Sequence, residues 1–280
     1  MTPLVTAAVL AAAVTHAGWN AIAHRITDKL VGFTLISGGG LLIGLAAVPF
    51  VAFPAAAWPY LFTSAAIHIV YYALLMRSFR LGDFGQAYPI ARGTAPLVVT
   101  ALAAVFAHEV PDGWAAAGIA LSCAGLTGVA LWGLRGRRPD WPAIGAALAT
   151  GATIAAYTLV DGLGVRASGS PLGYIAWLMA LQGSLIPAYA LYRWRAEAPR
   201  LLAPFARLGL LGAAMSVAAY ALVLWAQTEA ELAPIAALRE SSILVGAAIG
   251  AVVFKERFGL PRMAAAGLLV IGIGLILHSG

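Results

Sequence analysis

Tyr88-Pro89-Ile90-Ala91-Arg92-Gly93-Thr94-Ala95-Pro96 and Pro234-Ile235-Ala236-Ala237-Leu238-Arg239-Glu240-Ser241-Ser242 are two versions of one motif. Each is an apolar helical stretch with proline near its first turns and an arginine set two to three turns in. Upstream, Tyr72-Ala73-Leu74 matches Tyr220-Ala221-Leu222 at a separation of 148 residues. Downstream, Glu109 matches Glu256 at 147, the same separation as Arg92 from Arg239. A unit repeated at that distance holds five apolar spans. An odd number of spans inverts the copy that follows it. The sequence therefore predicts an all-α membrane protein of ten transmembrane helices arranged as two inverted five-helix repeats. The repeats cover residues 1–135 and 141–280, joined by a basic linker at 136–140, and together they form one membrane domain.

Composition supports a membrane class. The chain is 62% hydrophobic and 10% charged, with a mean hydropathy of +0.90, whereas soluble domains carry about 25% charged residues. Apolar stretches of about 20 residues, the length that crosses a bilayer, fall at 4–24, 31–53, 57–79, 85–107, 112–133, 142–161, 171–193, 204–227, 232–254 and 261–278. The loops between them leave no room for a soluble catalytic domain. Met1-Thr2-Pro3 lacks a basic leader and does not read as a cleaved signal peptide. Cys123, the single cysteine, lies in mid-span and has no intrachain partner.

A pI near 9.8 invites a nucleic-acid reading, but the placement of the charge removes it. Fourteen of the 17 Lys and Arg fall in alternate loops: Arg25 and Lys29; Arg77 and Arg80; Arg135, Arg137 and Arg138; Arg193, Arg195, Arg200 and Arg207; Lys255, Arg257 and Arg262. The opposite loops hold only Arg166. By the positive-inside rule the first set is cytoplasmic and both termini are extracytoplasmic. The same bias reverses between matching loops of the two halves: Arg77…Arg80 faces Glu229…Glu231, and His108-Glu109 faces Lys255-Glu256-Arg257. Inversion predicts that reversal, and a parallel tandem array does not.

Polar side chains inside the spans are few. Span 1 carries His16, Trp19, Asn20 and His24, with 16, 20 and 24 on one helical stripe. Span 3 carries Ser64, His68, Tyr71 and Tyr72, span 7 Tyr174, Trp177 and Gln182, and span 8 Ser216, Tyr220 and Gln227. A polar group in hydrocarbon needs a partner or a water-filled cavity. Two readings stand for these residues: interhelical hydrogen bonding, or the lining of a substrate cavity. The candidate substrate contacts are His16, Trp19, Asn20, His68, Tyr72, Tyr88, Arg92, Tyr157, Trp177, Tyr220, Arg239 and Ser242. Trp58, Trp141 and Trp194 at span ends read as interfacial belt residues. Gly38-Gly39-Gly40 with Gly44, and Gly246 with Gly250, have spacing that suits helix packing or a dimer seam.

Arg92 and Arg239 are the costliest residues to explain, because an unpaired Arg inside a span costs at least about 2.5–3.5 kcal/mol. Either holds a substrate carboxylate or phosphonate by a bidentate contact, or snorkels to the interface. Glu240, read as the only acidic residue well inside a span, is adjacent to Arg239 and is the candidate coupling residue, with structural pairing to either arginine as the alternative. Asp161 reads as lying at the outer end of span 6. Pro89, Gly93, Pro96 and Pro234 are the candidate hinges.

His16-Ala17-Gly18-Trp19-Asn20, Tyr88-Pro89-Ile90-Ala91-Arg92, and Glu109 and Glu256 after spans 4 and 9 resemble the EamA-type branch of the drug/metabolite transporter superfamily. The ten-span layout matches along the whole chain. The resemblance implies a bacterial inner-membrane carrier, often an exporter of amino acids and related metabolites, working by alternating access around a cavity bordered by spans 1, 3, 4, 6, 8 and 9. Small four-span relatives use a Glu in the first helix for proton coupling, and spans 1 and 6 here show no matching midplane carboxylate. Some relatives with a similar stretch look associated with phosphonate metabolism, which keeps uptake or exchange of a small anionic or zwitterionic solute as the alternative.

An enzyme is disfavoured: HExxH, paired intramembrane aspartates and a P-loop are all absent from the sequence. A channel is disfavoured because nothing resembles a carbonyl filter or an acidic ring. A purely structural protein does not need polar stripes on four spans. The expected partners are a small-molecule substrate and the lipid bilayer, in a monomer or homodimer, with no nucleic acid, metal or cofactor.

Overall fold

A computed structural model describes residues 1–81, 84–133, 140–253 and 259–278. Among the described residues all regular structure is helical. The α-helices are α1 (Pro3–Arg25), α2 (Lys29–Ala47), α3 (Trp58–Leu81), α4 (Phe84–Phe106), α5 (Gly113–Gly133), α6 (Trp141–Ala167), α7 (Pro171–Gln182), α8 (Leu185–Trp194), α9 (Ala198–Leu202), α10 (Ala206–Glu229), α11 (Leu232–Arg239), α12 (Ser242–Val253) and α13 (Leu260–His278). Most of the predicted linker, with Arg135, Arg137 and Arg138, lies outside the described residues, as does the Lys255-Glu256-Arg257 loop.

Local sequence sets the helix starts. The side chains of Thr2, Asp28, Asp112, Asp140 and Ser170 each accept a hydrogen bond from a backbone N–H two or three residues on, occupying donors that have no intrahelical partner. Proline stands in the first two positions of α1, α6 and α7, where its missing N–H costs nothing.

Six segments among the described residues are long and apolar enough to cross a membrane. Large apolar side chains cover the outside: Leu42, Val105, Leu210 and Val270 are all more than half exposed. Such a surface is untenable in water and natural in lipid. The chain is an all-α membrane protein.

Small residues bring the helices together. A Cβ on Gly118 of α5 would stand 2.5 Å from the carbonyl oxygen of Gly272 in α13, so these two backbones touch. Gly39 faces Ala213 of α10, and Gly44 faces the backbone of α7, so this glycine run packs within the chain. Gly246 meets nothing within 4 Å. The helix α3 packs on α6 and α10 packs on α1, with α4 set between α5, α6 and α11. Two spans are interrupted. The α7–α8 break at Gly183 is pinned to α2 by the Ser37 hydroxyl, which donates to the Gly183 carbonyl at 3.3 Å. The α11–α12 break falls at Glu240–Ser241.

Candidate functional site

The α11–α12 break tightens the backbone. Glu240 N–H donates to Ala237 C=O at 3.1 Å, Ser241 N–H to Leu238 C=O at 3.1 Å and Ile243 N–H to Glu240 C=O at 2.9 Å. These are three-residue 3₁₀ bonds rather than four-residue α bonds. The tightened turn brings both Glu240 and Ser242 within reach of Arg92 on α4. Arg92 Nε lies 2.8 Å from Glu240 Oε2, with the two side chains 6% and 1% exposed. Arg92 Nη2 donates to Ser242 Oγ at 3.2 Å. Of the two arginines beside Glu240, the one that pairs with it is Arg92, from α4 to the α11–α12 break. Arg239 is also buried, and its Nε has no hydrogen-bond partner among the described residues.

The α1 stripe lies alongside. Trp19 Nε1 donates to His16 Nδ1 at 3.3 Å, with the rings edge to face at 5.2 Å. Asn20 spends its amide on the His16 carbonyl at 2.8 Å. The charges of Arg92 and Arg239 are both felt at His16. The His24 side chain is outside the described residues.

A second group gathers around Tyr157. The His68 ring stacks on Tyr157 at 4.3 Å and 25°, and stands 6.4 Å from both Tyr72 and Tyr220. Its Nδ1 lies 2.9 Å from the Ser64 carbonyl, which only accepts, so Nδ1 carries a proton and Nε2 is the nitrogen left open. Asp161 is fully buried beside this group. It accepts from Tyr174 Oη at 2.8 Å and from Tyr220 Oη, and the Ser64 hydroxyl also faces it. Tyr157 stacks on His68 and lies within electrostatic range of Arg239, Arg92, Asp161 and Glu240. The polar residues thus form one network through the interior, drawn from α1, α3, α4, α6, α7, α10 and the α11–α12 break.

A third cluster ties helix ends. Arg166, near the end of α6, pairs with Glu109 at 2.5 Å. It also donates to the Gln227 carbonyl at 2.6 Å and the Ala230 carbonyl at 2.8 Å, which are orphan acceptors at and just beyond the end of α10. The other Glu109 oxygen accepts from Leu232 N–H, the first residue of α11, at 2.7 Å. One ion pair therefore closes a helix C-terminus and opens a helix N-terminus, as the helix dipoles favour.

Of the residues singled out from sequence, His16, Trp19, Arg92, Arg239, Glu240 and Ser242 come together at one end of the network, and His68, Tyr72, Tyr157 and Tyr220 at the other. Trp177 stands apart, edge to face with Phe53 and Trp58 at 5.2 and 5.8 Å. Tyr88 belongs to α4, and its side chain is outside the described residues. Pro89, Gly93 and Pro96 lie within a continuous α4, Gly93 against Leu126 and Thr127 of α5. Pro234 lies in the first turn of α11, two turns before the break.

One placement is corrected. Asp161 is not a residue of the outer end of span 6, and Glu240 is not the only carboxylate deep in the protein. The α6 helix runs 27 residues to Ala167, so Asp161 sits about a turn and a half inside it and is fully buried. A hydropathy boundary stops at the first charge, whereas the helix continues because Tyr174 and Tyr220 hydrogen-bond that charge. Tyr174, one of the polar residues noted in span 7, is the Asp161 partner 13 residues on, whereas Arg166 was missed because its role is set by partners about 60 residues away.

No family model and no curated protein matches the chain. Among solved structures 27 chains match. One, a crystal structure of a protein, superposes with a TM-score of 0.74 over 98% of this chain and 96% of its own length, at 14% identity. Likeness at that identity speaks for the fold alone.

Proposed function

We propose that the protein is a secondary transporter of small organic metabolites such as amino acids, acting as an exporter by alternating access around a central cavity between two inverted five-helix repeats. The observation that carries this reading is the buried Arg92–Glu240–Ser242 contact at a helix break. A lipid-facing protein tolerates irregular backbone only where it is buried in protein or lines a cavity, and transporters place such breaks at their binding sites. Placing Arg92, Glu240 and Arg239 in one interior is costly unless the network does something besides hold the fold. The reciprocal packing of α3 on α6 and α10 on α1 is what an exchange of the two halves by a twofold axis would produce. The cell membrane of a bacterium, with both termini extracytoplasmic, is the setting that the loop charges and the EamA resemblance support.

A second reading, uptake or exchange of a small anionic or zwitterionic solute such as a phosphonate, is favoured by Arg239, whose Nε is buried and has no hydrogen-bond partner among the described residues. Both readings use the same test. In liposomes containing folded Arg239→Gln protein, flux of the transported solute falls at least tenfold relative to wild type. Unchanged flux removes Arg239 from the site.

A further inference from the structure

Asp161 and His68 form the part of the network that the proposed function leaves unused. Asp161 is 0% exposed, and no ion pair to it forms among the described residues. Its charge is met by hydroxyls from α7 (Tyr174), α10 (Tyr220) and α3 (Ser64), and by His68 of α3, among the described residues the one neutral group near it able to become cationic. The only other titratable group against it on α6 is Tyr157, one turn earlier, where the charges of Arg92 on α4 and of Arg239 and Glu240 at the α11–α12 break are felt. The network holds two arginines and two carboxylates, so it sums to zero while both imidazoles are neutral. One more proton leaves it at plus one.

We propose that Asp161 and His68 together bind an exchangeable proton, and that this proton is the ion coupled to solute movement. The chemistry is a simple transfer. A hydronium ion arriving past the half-buried Tyr220 gives its proton to Asp161 Oδ2 and leaves as water. The Tyr220 hydroxyl, which had donated to that oxygen, turns away and becomes an acceptor for the new O–H. Alternatively the proton rests on His68 Nε2, the open nitrogen, facing a still charged Asp161. A proton on Asp161 changes the tie between α6 and α10 while that from Tyr174 to Oδ1 is retained; a proton on His68 sets a cation of α3 against the Asp161 charge of α6. The proton is thereby linked to the relative position of α3, α6 and α10, the first from residues 1–135 and the others from 141–280. Coupling rests on the transport reading; the proton site does not.

The test uses full-length protein in lipid vesicles, followed by infrared difference spectroscopy through a pH titration with proton as the probe. A carboxylic-acid C=O band or an imidazolium band is expected to titrate, to shift on isotope labelling of Asp or His, and to vanish in Asp161→Asn. The same band should persist in Glu240→Gln. Should Asp161→Asn not fold, Tyr220→Phe, which removes one donor and keeps the ring, must move the midpoint of the titration. A titrating band unaffected by Asp161→Asn and Tyr220→Phe, or none at all in folded wild type, overturns the proposal. A band with these properties in vesicles that move no solute sustains the proton site and overturns transport. Solute flux independent of an imposed pH gradient sustains transport and overturns the coupling.

Discussion

Removing either member of the Arg92–Glu240 pair strands the other. The groups are 2.8 Å apart and almost wholly buried. At an effective dielectric of about 20 their attraction is about 6 kcal/mol. Desolvation of two ions takes back several kcal/mol each, so the pair itself adds little net stability. Its loss on one side is different: an uncompensated buried charge costs about 3–5 kcal/mol. Arg92→Gln and Glu240→Gln are each expected to destabilise the protein by that amount. The double variant, with two neutral amides of similar size facing Ser242, should lose well under the sum, giving a coupling energy of about 2–3 kcal/mol. The assay is reversible unfolding in detergent micelles followed by circular dichroism on the four proteins of the cycle. Additive losses, with a coupling below about 0.5 kcal/mol, would refute the claim that these residues pair in the folded membrane protein.

Other sites give sharper local readouts. Glu109→Gln should cost about 1–3 kcal/mol by weakening charge-assisted bonds, and amide exchange at Leu232, which donates to Glu109, should accelerate most; uniform exchange across α11 would contradict the cap. Gly272→Val should separate α5 from α13 and cost about 1–3 kcal/mol in overpacking, because a Cβ there lies 2.6 Å from the Gly118 carbonyl oxygen. Gly246→Ala, with open space around it, should stay within about 0.5 kcal/mol of wild type, and the same thermal melts compare both. Tyr174→Phe takes one donor from buried Asp161 and should cost about 1–3 kcal/mol, while Tyr189→Phe, more than half exposed, should be silent in the same unfolding assay.

Much of the fold was legible because hydropathy and helix length are local properties. Among the described residues helices run through most of each stretch read as a span, six segments being long and apolar enough to cross a membrane, and the caps at Asp28, Asp140 and Ser170 stand where short polar residues precede apolar runs. What was not legible was tertiary. The break at Glu240–Ser241 carries no proline or glycine of its own, and the sequence points instead to Pro234. The pairing of Glu240 with Arg92 rather than with its neighbour Arg239 follows from how α4 crosses α11, which no periodicity encodes. Asp161 looked interfacial because a charge was taken as the end of a span. Arg166 and Glu109 looked like loop charges, although together they serve two helix ends.

The central claim, transport, is tested most directly by loading vesicles containing the folded protein with a mixture of amino acids, amines and phosphonates. What leaves is then identified by mass spectrometry with and without a pH gradient. The account predicts selective loss of one chemical class, faster with the gradient, and its abolition by Arg239→Gln. Retention of every solute by vesicles holding folded protein, or loss of all of them alike, would contradict it.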